Sequence, residues 1–580
     1  MFMSLVLAGI FFGLTYTEET RKSSLVMTGI IFVMMYFITY FALPVLNWGY
    51  YGFLWEVFGV TAVALIYGWI WSYNEDIEVP AKRSLIAFGA VSLILVTAGI
   101  LSSPMCHSAQ YAQRLGAVEQ VEVDNFAEDV KPISLAKMRS VDQELARKVA
   151  EDKLGEDVGL GSRVRVGEMT IQNLTGEFTI NGGQKLRFEN DLVWVAPLEH
   201  RSFWKWSSNK YTPGYIIVDA TDATKRWLVT EVNGQPLKMR YIESAYWGTD
   251  LERHVRFHGY QSVGLYEHSL EIDSLGNPHW VIAKYKKSIG FSAKEVTGVI
   301  LVDPQTGALE DYELNELPEW IERVQPEEII LDQISDWGKY RGGWWNAMFA
   351  EVDVQEPTGS AFETVDGRLI QGMTLVYIDG QSYWYTGIGS SGSDHGTNGF
   401  MLVNSRTKEA RFYPIPGVNE VEACKIAQDQ PFARAAEYEA CMPVLYNIEN
   451  VPTYFMIYKG SSGNVVGYCF LNVANREMVG TGSTKAEAEA NYRRALSKTM
   501  KLDDTKTQQK SYTVRGIVQE NGVYYILFSE VKGVEFTASS DISSELKWTK
   551  AGDKVEVSYF ESAGASSIAL TSFDKLSFEI

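Results

Sequence analysis

Hydrophobic and polar positions divide the chain near residue 102. Before it run four apolar stretches, 2–16, 24–46, 52–73 and 84–101. The second and third approach or exceed the roughly 20 residues a helix needs to cross a bilayer; the fourth is uncharged and slightly shorter. The first has the length of a signal-peptide core. No basic segment precedes it, and Thr17-Glu18-Glu19-Thr20 is a poor cleavage site, so it reads as a retained helix. Beyond residue 102 short alternating segments predict strands, with amphipathic helical stretches between them.

The alternating part repeats itself. From Gly298, GVILVDPQTGALEDY reads as an apolar run, a turn over Asp303-Pro304-Gln305-Thr306-Gly307, and a more polar return strand: a hairpin. Similar segments begin at Gly214 (GYIIVDATDATKRWLV), Gly399 (GFMLVNSRTKEARFYPI) and Gly467 (GYCFLNVANREMVG). Upstream of each lies an aromatic strand, around Trp194, Trp280, Trp384 and Tyr454. These precede the hairpin glycines by 20, 18, 15 and 13 residues. Helical stretches are expected at 140–154, within 241–260, at 331–349 and at 418–438. The first has an apolar stripe of Val141, Leu145, Val149 and Leu154, and Gly155 stops it.

The expected fold class is therefore N-terminal transmembrane α-helices (1–102), a polar connector (103–139), α+β repeats and a C-terminal all-β barrel. The four α+β units are 140–235, 236–325, 326–417 and 418–500, each a helix laid on an antiparallel sheet. The helix expected at 483–500 has a capping box in Thr484 and Glu487. A polar linker (501–510) leads to five short alternating segments over 511–580, the pattern of a small OB-like barrel.

A helix followed by antiparallel strands and an apolar–V-D-P-x-T-G hairpin is similar to the PepSY module of bacterial extracytoplasmic and membrane proteins. Val302-Asp303-Pro304-Gln305-Thr306-Gly307 carries the likeness; 219–224 and 404–407 match loosely, and 472–476 is degenerate. The resemblance implies a binding or regulatory module, often in tandem, with no catalytic residues to transfer. The whole layout also resembles large uncharacterised multi-pass membrane proteins of bacteria and their phages, some labelled cell shape-determining.

Charge adds orientation and removes one class of partner. Arg21 and Lys22 lie between the first two apolar stretches, and Lys82 and Arg83 between the last two; residues 47–51 have no basic residue. The positive-inside rule puts both basic loops in the cytoplasm and everything after residue 102 outside the cell membrane. Trp48, Tyr50, Tyr51, Trp69, Trp71 and Tyr73 suit the two interfaces. Net charge is −20, and residues 511–580 hold six basic against ten acidic residues. Nucleic-acid binding needs a positive track, so no nucleic-acid partner is expected.

Candidate chemistry is sparse. Glu56, the intramembrane acid, lies about one turn into its helix, where it can reach headgroups or water; an ion or proton role is the functional alternative. His254 and His258 have the i, i+4 spacing of metal ligands, with His268, His279, Glu252 and Glu267 nearby in sequence. Val255 stands where a zinc protease needs Glu, so structural histidines are expected and no metal. Ser390, Ser391, Ser393, Asp394 and His395 occupy one Gly/Ser-rich run without a nucleophile elbow, so the run reads as a connection and no catalytic residue is assigned. Asp303, Asp219 and Asn404 are turn residues. Cys106, Cys424, Cys441 and Cys469 form no C-x-x-C pair; Cys424 and Cys441 are either buried thiols or, in an oxidising compartment, a bridge. Trp337, Tyr340, Trp344 and Trp345 form an interface or a core cluster.

The resulting expectation is a membrane-anchored, non-enzymatic scaffold or assembly protein without a cofactor. Its partners are the lipid bilayer, other copies of itself in a homo-oligomer, and further membrane or envelope proteins. The alternatives are a membrane redox or transport component, as some membrane PepSY proteins are, and a protease or the regulator of one.

Overall fold

A computed structural model describes residues 2–75, 77–122, 125–358, 364–365, 368–369, 373–391, 396–499, 507–520, 523–539, 542–560 and 567–576. Its N-terminal part is a helical bundle: α1 (Phe2–Thr15), α2 (Arg21–Ala42), α3 (Tyr51–Glu75) and α4 (Val79–Leu101). The last three are long and apolar enough to cross a membrane. α1 has 14 residues, a length of ~21 Å, too short to cross alone. Its Leu7 and Phe11 are buried against Ile31, Phe53 and Val60, so packing within the bundle holds it. α2 stops at Ala42, before its apolar run ends, because Leu43 turns left-handed and Pro44 follows.

The two ends of the bundle differ. At the end bearing the basic loops, Arg83 donates to the Tyr16 carbonyl (3.1 Å) and Ser23 meets the Tyr67 hydroxyl (2.7 Å). The opposite end carries the body. There the Leu46 N–H donates to Gln261 (2.8 Å), Tyr50 Oη to the Tyr285 carbonyl (2.9 Å), and Arg253 Nε to the Tyr40 carbonyl (3.1 Å). Ser102 Oγ, just past α4, accepts from the Phe291 N–H (2.9 Å).

The body is mostly β. Four antiparallel sheets succeed one another, and in each the aromatic strand is central. These strands are Gln184–His200, Pro278–Ile289, Gln381–Ser390 and Val451–Lys459. Register is conserved between sheets: Trp194 lies opposite Val218, Trp280 opposite Val302, Trp384 opposite Val403, and Tyr454 opposite Leu471. Each partner is the residue before the Asp or Asn of its hairpin turn.

The same lock closes every sheet. Trp194 Nε1 donates to the Val141 carbonyl (2.9 Å), Trp280 Nε1 to Tyr241 (3.0 Å), Trp384 Nε1 to Gln325 (2.8 Å), and Tyr454 Oη to Val418 (3.2 Å). The N–H groups of those four accepting residues donate in turn to Ala220, Pro304, Ser405 and Val473, each directly after the turn Asp or Asn. Asp219, Asp303, Asn404 and Asn472 accept the N–H two residues on through Oδ1 at 2.7–2.9 Å. Each lock ties the segment entering a unit to the buried aromatic and to the turn. It thereby satisfies backbone groups that the sheet leaves unpaired.

Helices accompany the sheets: α5 (Pro104–Ala112), α6 (Gln143–Gly155), α7 (Leu251–Val255), α8 (Glu327–Tyr340), α9 (Glu420–Gln428) and α10 (Lys485–Thr499). α6, α8 and α9 begin two residues past the lock; α7 is short and begins ten past it. α8 starts earlier than its apolar stripe suggested and ends in a separate turn, Asn346–Ala350. Thr484 caps α10, its Oγ1 accepting from the Glu487 N–H, while the Glu487 carboxylate reaches one residue further than a capping box and accepts from the Ser483 N–H. The connector is more than a spacer. Its Val118–Gln120 adds a parallel edge strand to Ala410–Tyr413 of the third sheet, and its Arg114 pairs with Asp336 of α8.

Three cores join the sheets. Val193, Val195 and Ile217 of the first pack on Trp280, Ile282 and Ile300 of the second. Tyr385 and Phe400 of the third join Tyr454 and Phe455 of the fourth. Across the middle, Leu145 and Trp194 of the first share a core with Ile330, Ile334 and Trp384 of the third. The chain ends in a closed five-stranded barrel of Thr507–Glu520, Val523–Phe528, Glu535–Ser539, Lys554–Phe560 and Ser567–Lys575. The first barrel strand takes in 507–510, assigned from sequence to the linker; 501–506 lie outside the described residues. Glu535–Ser539 and Ser567–Lys575 pair in parallel, the other barrel neighbours antiparallel.

Candidate functional site

Where the four sheets converge they leave a cavity of about 450 Å³, within the size range of small-molecule sites. Its walls come from matching positions of the first and third units. Trp194 and Trp384 stand at the two locks. Met169 and Met373 immediately precede the strands beside them, and Arg139 and Arg323 sit two residues before the lock carbonyls. Each guanidinium lies over its own tryptophan, 4.9 Å from the ring centroid for Arg139 and 5.6 Å for Arg323. The second unit adds Glu267 and His268, and the fourth adds Cys441 and Lys459.

Charge breaks this pseudo-symmetry. Arg323 pairs with Glu267 at 3.2 Å. Lys459, nearly sealed, binds Asp142 (2.5 Å) and Glu144 (3.0 Å) at the start of α6, across a sequence separation of more than 300 residues. Arg139 is half-buried with its Nε sealed from solvent, and its guanidinium has no hydrogen bond or ion pair among the described residues. Burial pulls its pKa down, and Tyr446, Tyr377 and Asp142 only partly offset this. Glu327 uses one carboxylate oxygen to accept the Met373 N–H (3.1 Å), and burial raises its pKa. Burial likewise raises Glu168 at the cavity edge, and neighbouring Glu243 and Glu267 add to the shift.

A carboxyl pair lies behind this wall. Burial pushes Glu322 up to about 8 and Glu271 up to about 7. Glu271 accepts from the Glu322 N–H and faces Arg323, Ser269 and Glu267; Glu322 accepts from the Asn173 N–H at 3.2 Å and faces Arg406.

The residues singled out from sequence have other places. His254 and His258 lie with ring centroids 4.1 Å apart and planes tilted by 41°, but backbone carbonyls hold them: His254 Nε2 lies 2.8 Å from Gly307 O, and His258 Nδ1 2.7 Å from His254 O. His268 is with Glu243 (3.2 Å) and His279 with Asp273 (3.4 Å). Among the described residues no three His, Cys, Asp or Glu side chains group as metal ligands. Ser390 Oγ accepts from Asn398 Nδ2 at 2.9 Å; Ser393, Asp394 and His395 lie outside the described residues. Cys424, Cys441 and Cys469 are free thiols, and burial raises both Cys441 and Cys469 to about 12.

Two expectations change. Glu56 does not turn towards headgroups: both carboxyl oxygens are sealed inside the bundle, with Thr39 of α2 as polar neighbour. The four aromatics after residue 336 divide in role. Trp337 is core, packed on Phe412, and Tyr340 is half-buried against Tyr111. Trp344 meets Trp345 edge-on, and Trp345 is 69% exposed beside Phe349 at 72%. Helical spacing could not separate them, because Trp345 lies beyond the end of α8.

No family model matches the chain, and no curated protein matches its sequence. The cavity was not legible as a site in the sequence. Its one available signal was the recurrence of Arg two residues before a lock position, at 139 and 323.

Proposed function

We propose that the protein is a membrane-anchored, non-enzymatic scaffold whose body stands on the outer face of the cell membrane. The observation that carries this reading is the asymmetry of the bundle. The body is bonded to the end without basic loops, through Leu46, Tyr50, Tyr40 and Ser102, while Arg21, Lys22, Lys82 and Arg83 occupy the other end. On this reading the four helix-and-sheet units are tandem PepSY-like modules. The barrel, with its parallel pairing of third and fifth strands, is OB-like and serves as a protein-contact or spacer module because its charge is negative.

The orientation is tested by cysteine labelling in intact cells. With exposed Cys106 changed to Ser, a Cys at Lys547 in the barrel is expected to react with a membrane-impermeant maleimide without permeabilisation. Labelling only after permeabilisation would put the body in the cytoplasm and sink the reading.

Self-association belongs to the same proposal, with exposed Trp345, Met348 and Phe349 as its contact surface. Mass photometry of the detergent-solubilised protein is expected to show an oligomer that Trp345→Ser with Phe349→Ser reduces to monomer. A wild-type chain that runs as a stable monomer rules this out.

A further inference from the structure

The central cavity has one property that a structural void does not need. Arg139 lines it as a half-buried cation whose Nε is sealed from solvent, with no hydrogen bond or ion pair for its guanidinium among the described residues. Leaving a buried charge unpaired is costly, and folded proteins pair such groups or reserve them for a ligand. Two of the carboxylates that line the cavity are engaged elsewhere. Asp142, three residues away, caps α6 through the Leu145 N–H and binds Lys459. Glu267 binds the counterpart arginine, Arg323.

Glu327 lines the same cavity as a partly buried acid. Among the described residues it has one backbone hydrogen bond and no cationic partner at ion-pair distance. Glu168 stands at the exposed edge, also without an ion pair among the described residues. A guanidinium and two carboxylates of opposite sign thus share one chamber without pairing with one another. Between them run apolar and aromatic walls from Trp194, Trp384, Met169 and Met373.

We infer that the cavity binds a small zwitterion of amino-acid or dipeptide size, its carboxylate on Arg139 and its ammonium on Glu327 and Glu168. The planar guanidinium fork suits a carboxylate, and a charge-assisted bond in a partly desolvated cavity is stronger than one at the surface. A simple anion leaves the acids unmatched, and a simple cation leaves Arg139 unmatched. The cavity volume accommodates a ligand of this size. This site does not depend on the scaffold reading or on which side of the membrane the body lies.

The test is thermal unfolding of the full-length protein in detergent with L-alanyl-L-alanine, glycine, acetate or ethylamine, each at about 10 mM, where binding to the folded state raises the midpoint. L-alanyl-L-alanine or glycine is expected to raise it, while acetate and ethylamine leave it unchanged. Titration with the active zwitterion should show binding at least about tenfold weaker in Arg139→Gln and in Glu327→Gln. Because Arg139 also stacks on Trp194, Glu327→Gln decides the matter if Arg139→Gln does not fold. No shift with either zwitterion, a shift with acetate as large as with the dipeptide, or wild-type affinity in Glu327→Gln would each overturn the assignment.

Discussion

Gly298→Ala is expected to destabilise the body by about 3 kcal/mol, the upper part of the range for forcing extra atoms into a packed site. A Cβ on Gly298 would sit 2.1 Å from Tyr312 O and 2.8 Å from Lys284 Cε, with backbone on one side and a nearly sealed lysine on the other. The outer strand Leu309–Glu313 would have to leave its register with Ser292–Val302 to make room. The other hairpin glycines are bound by the same contact. A Cβ on Gly214 would meet Val229 O at 2.0 Å, and one on Gly399 would meet Tyr413 O at 2.3 Å. Gly467 is limited chiefly by Phe432, at 2.4 Å. The control is Gly516→Ala in the barrel, where a Cβ meets open space and the change should stay within about 0.5 kcal/mol. Urea midpoints read by tryptophan fluorescence distinguish the two; equal midpoints for both variants would show that the sheet absorbs the methyl group.

The second large effect is on pH. Glu322 and Glu271 ionise in the unfolded chain near the ordinary 4.5, but in the folded body burial raises them to about 8 and about 7. Between those values the folded state holds more protons than the unfolded one. Their contribution to stability is therefore full below the unfolded value and is lost as pH rises towards 8. For Glu322 alone the loss between pH 5 and 8 is on the order of 4 kcal/mol. His200, lowered to about 4 by burial and by Lys210, acts in the opposite sense below pH 6.5; Lys485, lowered to about 8 by burial, acts above the window. The difference between wild type and Glu322→Gln isolates the carboxyl. The variant should gain relative stability steadily from pH 5 to 8, and parallel profiles for the two proteins would refute the assignment.

Much of the local structure was readable from pattern. The five barrel strands fall where alternation put them, because one face of each is core and the other faces out. The cap at Thr484 formed because both partners lie within one helical turn. The hairpins formed because Asp219, Asp303, Asn404 and Asn472 bond N–H groups two residues away. Where the pattern failed, a longer-range contact overrode it. α2 stopped at a proline its hydropathy did not register, and Val118–Gln120 became a strand only because the third sheet offers it an edge. Glu56 turned inward because α2 packs over it.

The sequence by itself determined the apolar anchor, the aromatic-to-hairpin repeat and the position of each turn, since these depend on composition and on neighbours a few residues apart. The recurring glycine was visible there too, but its reason was not. For Gly214, Gly298 and Gly399 that reason is a carbonyl on the next strand, whose distance only the folded sheet sets. The chamber, the placement of Arg139 in it, the Lys459–Asp142 pair and the raised carboxyls of Glu271 and Glu322 were decided by tertiary structure alone. Each depends on packing between segments far apart in sequence, more than 300 residues for Lys459 and Asp142, and burial, which turns an ordinary charge into a perturbed one, is a property that no single segment carries.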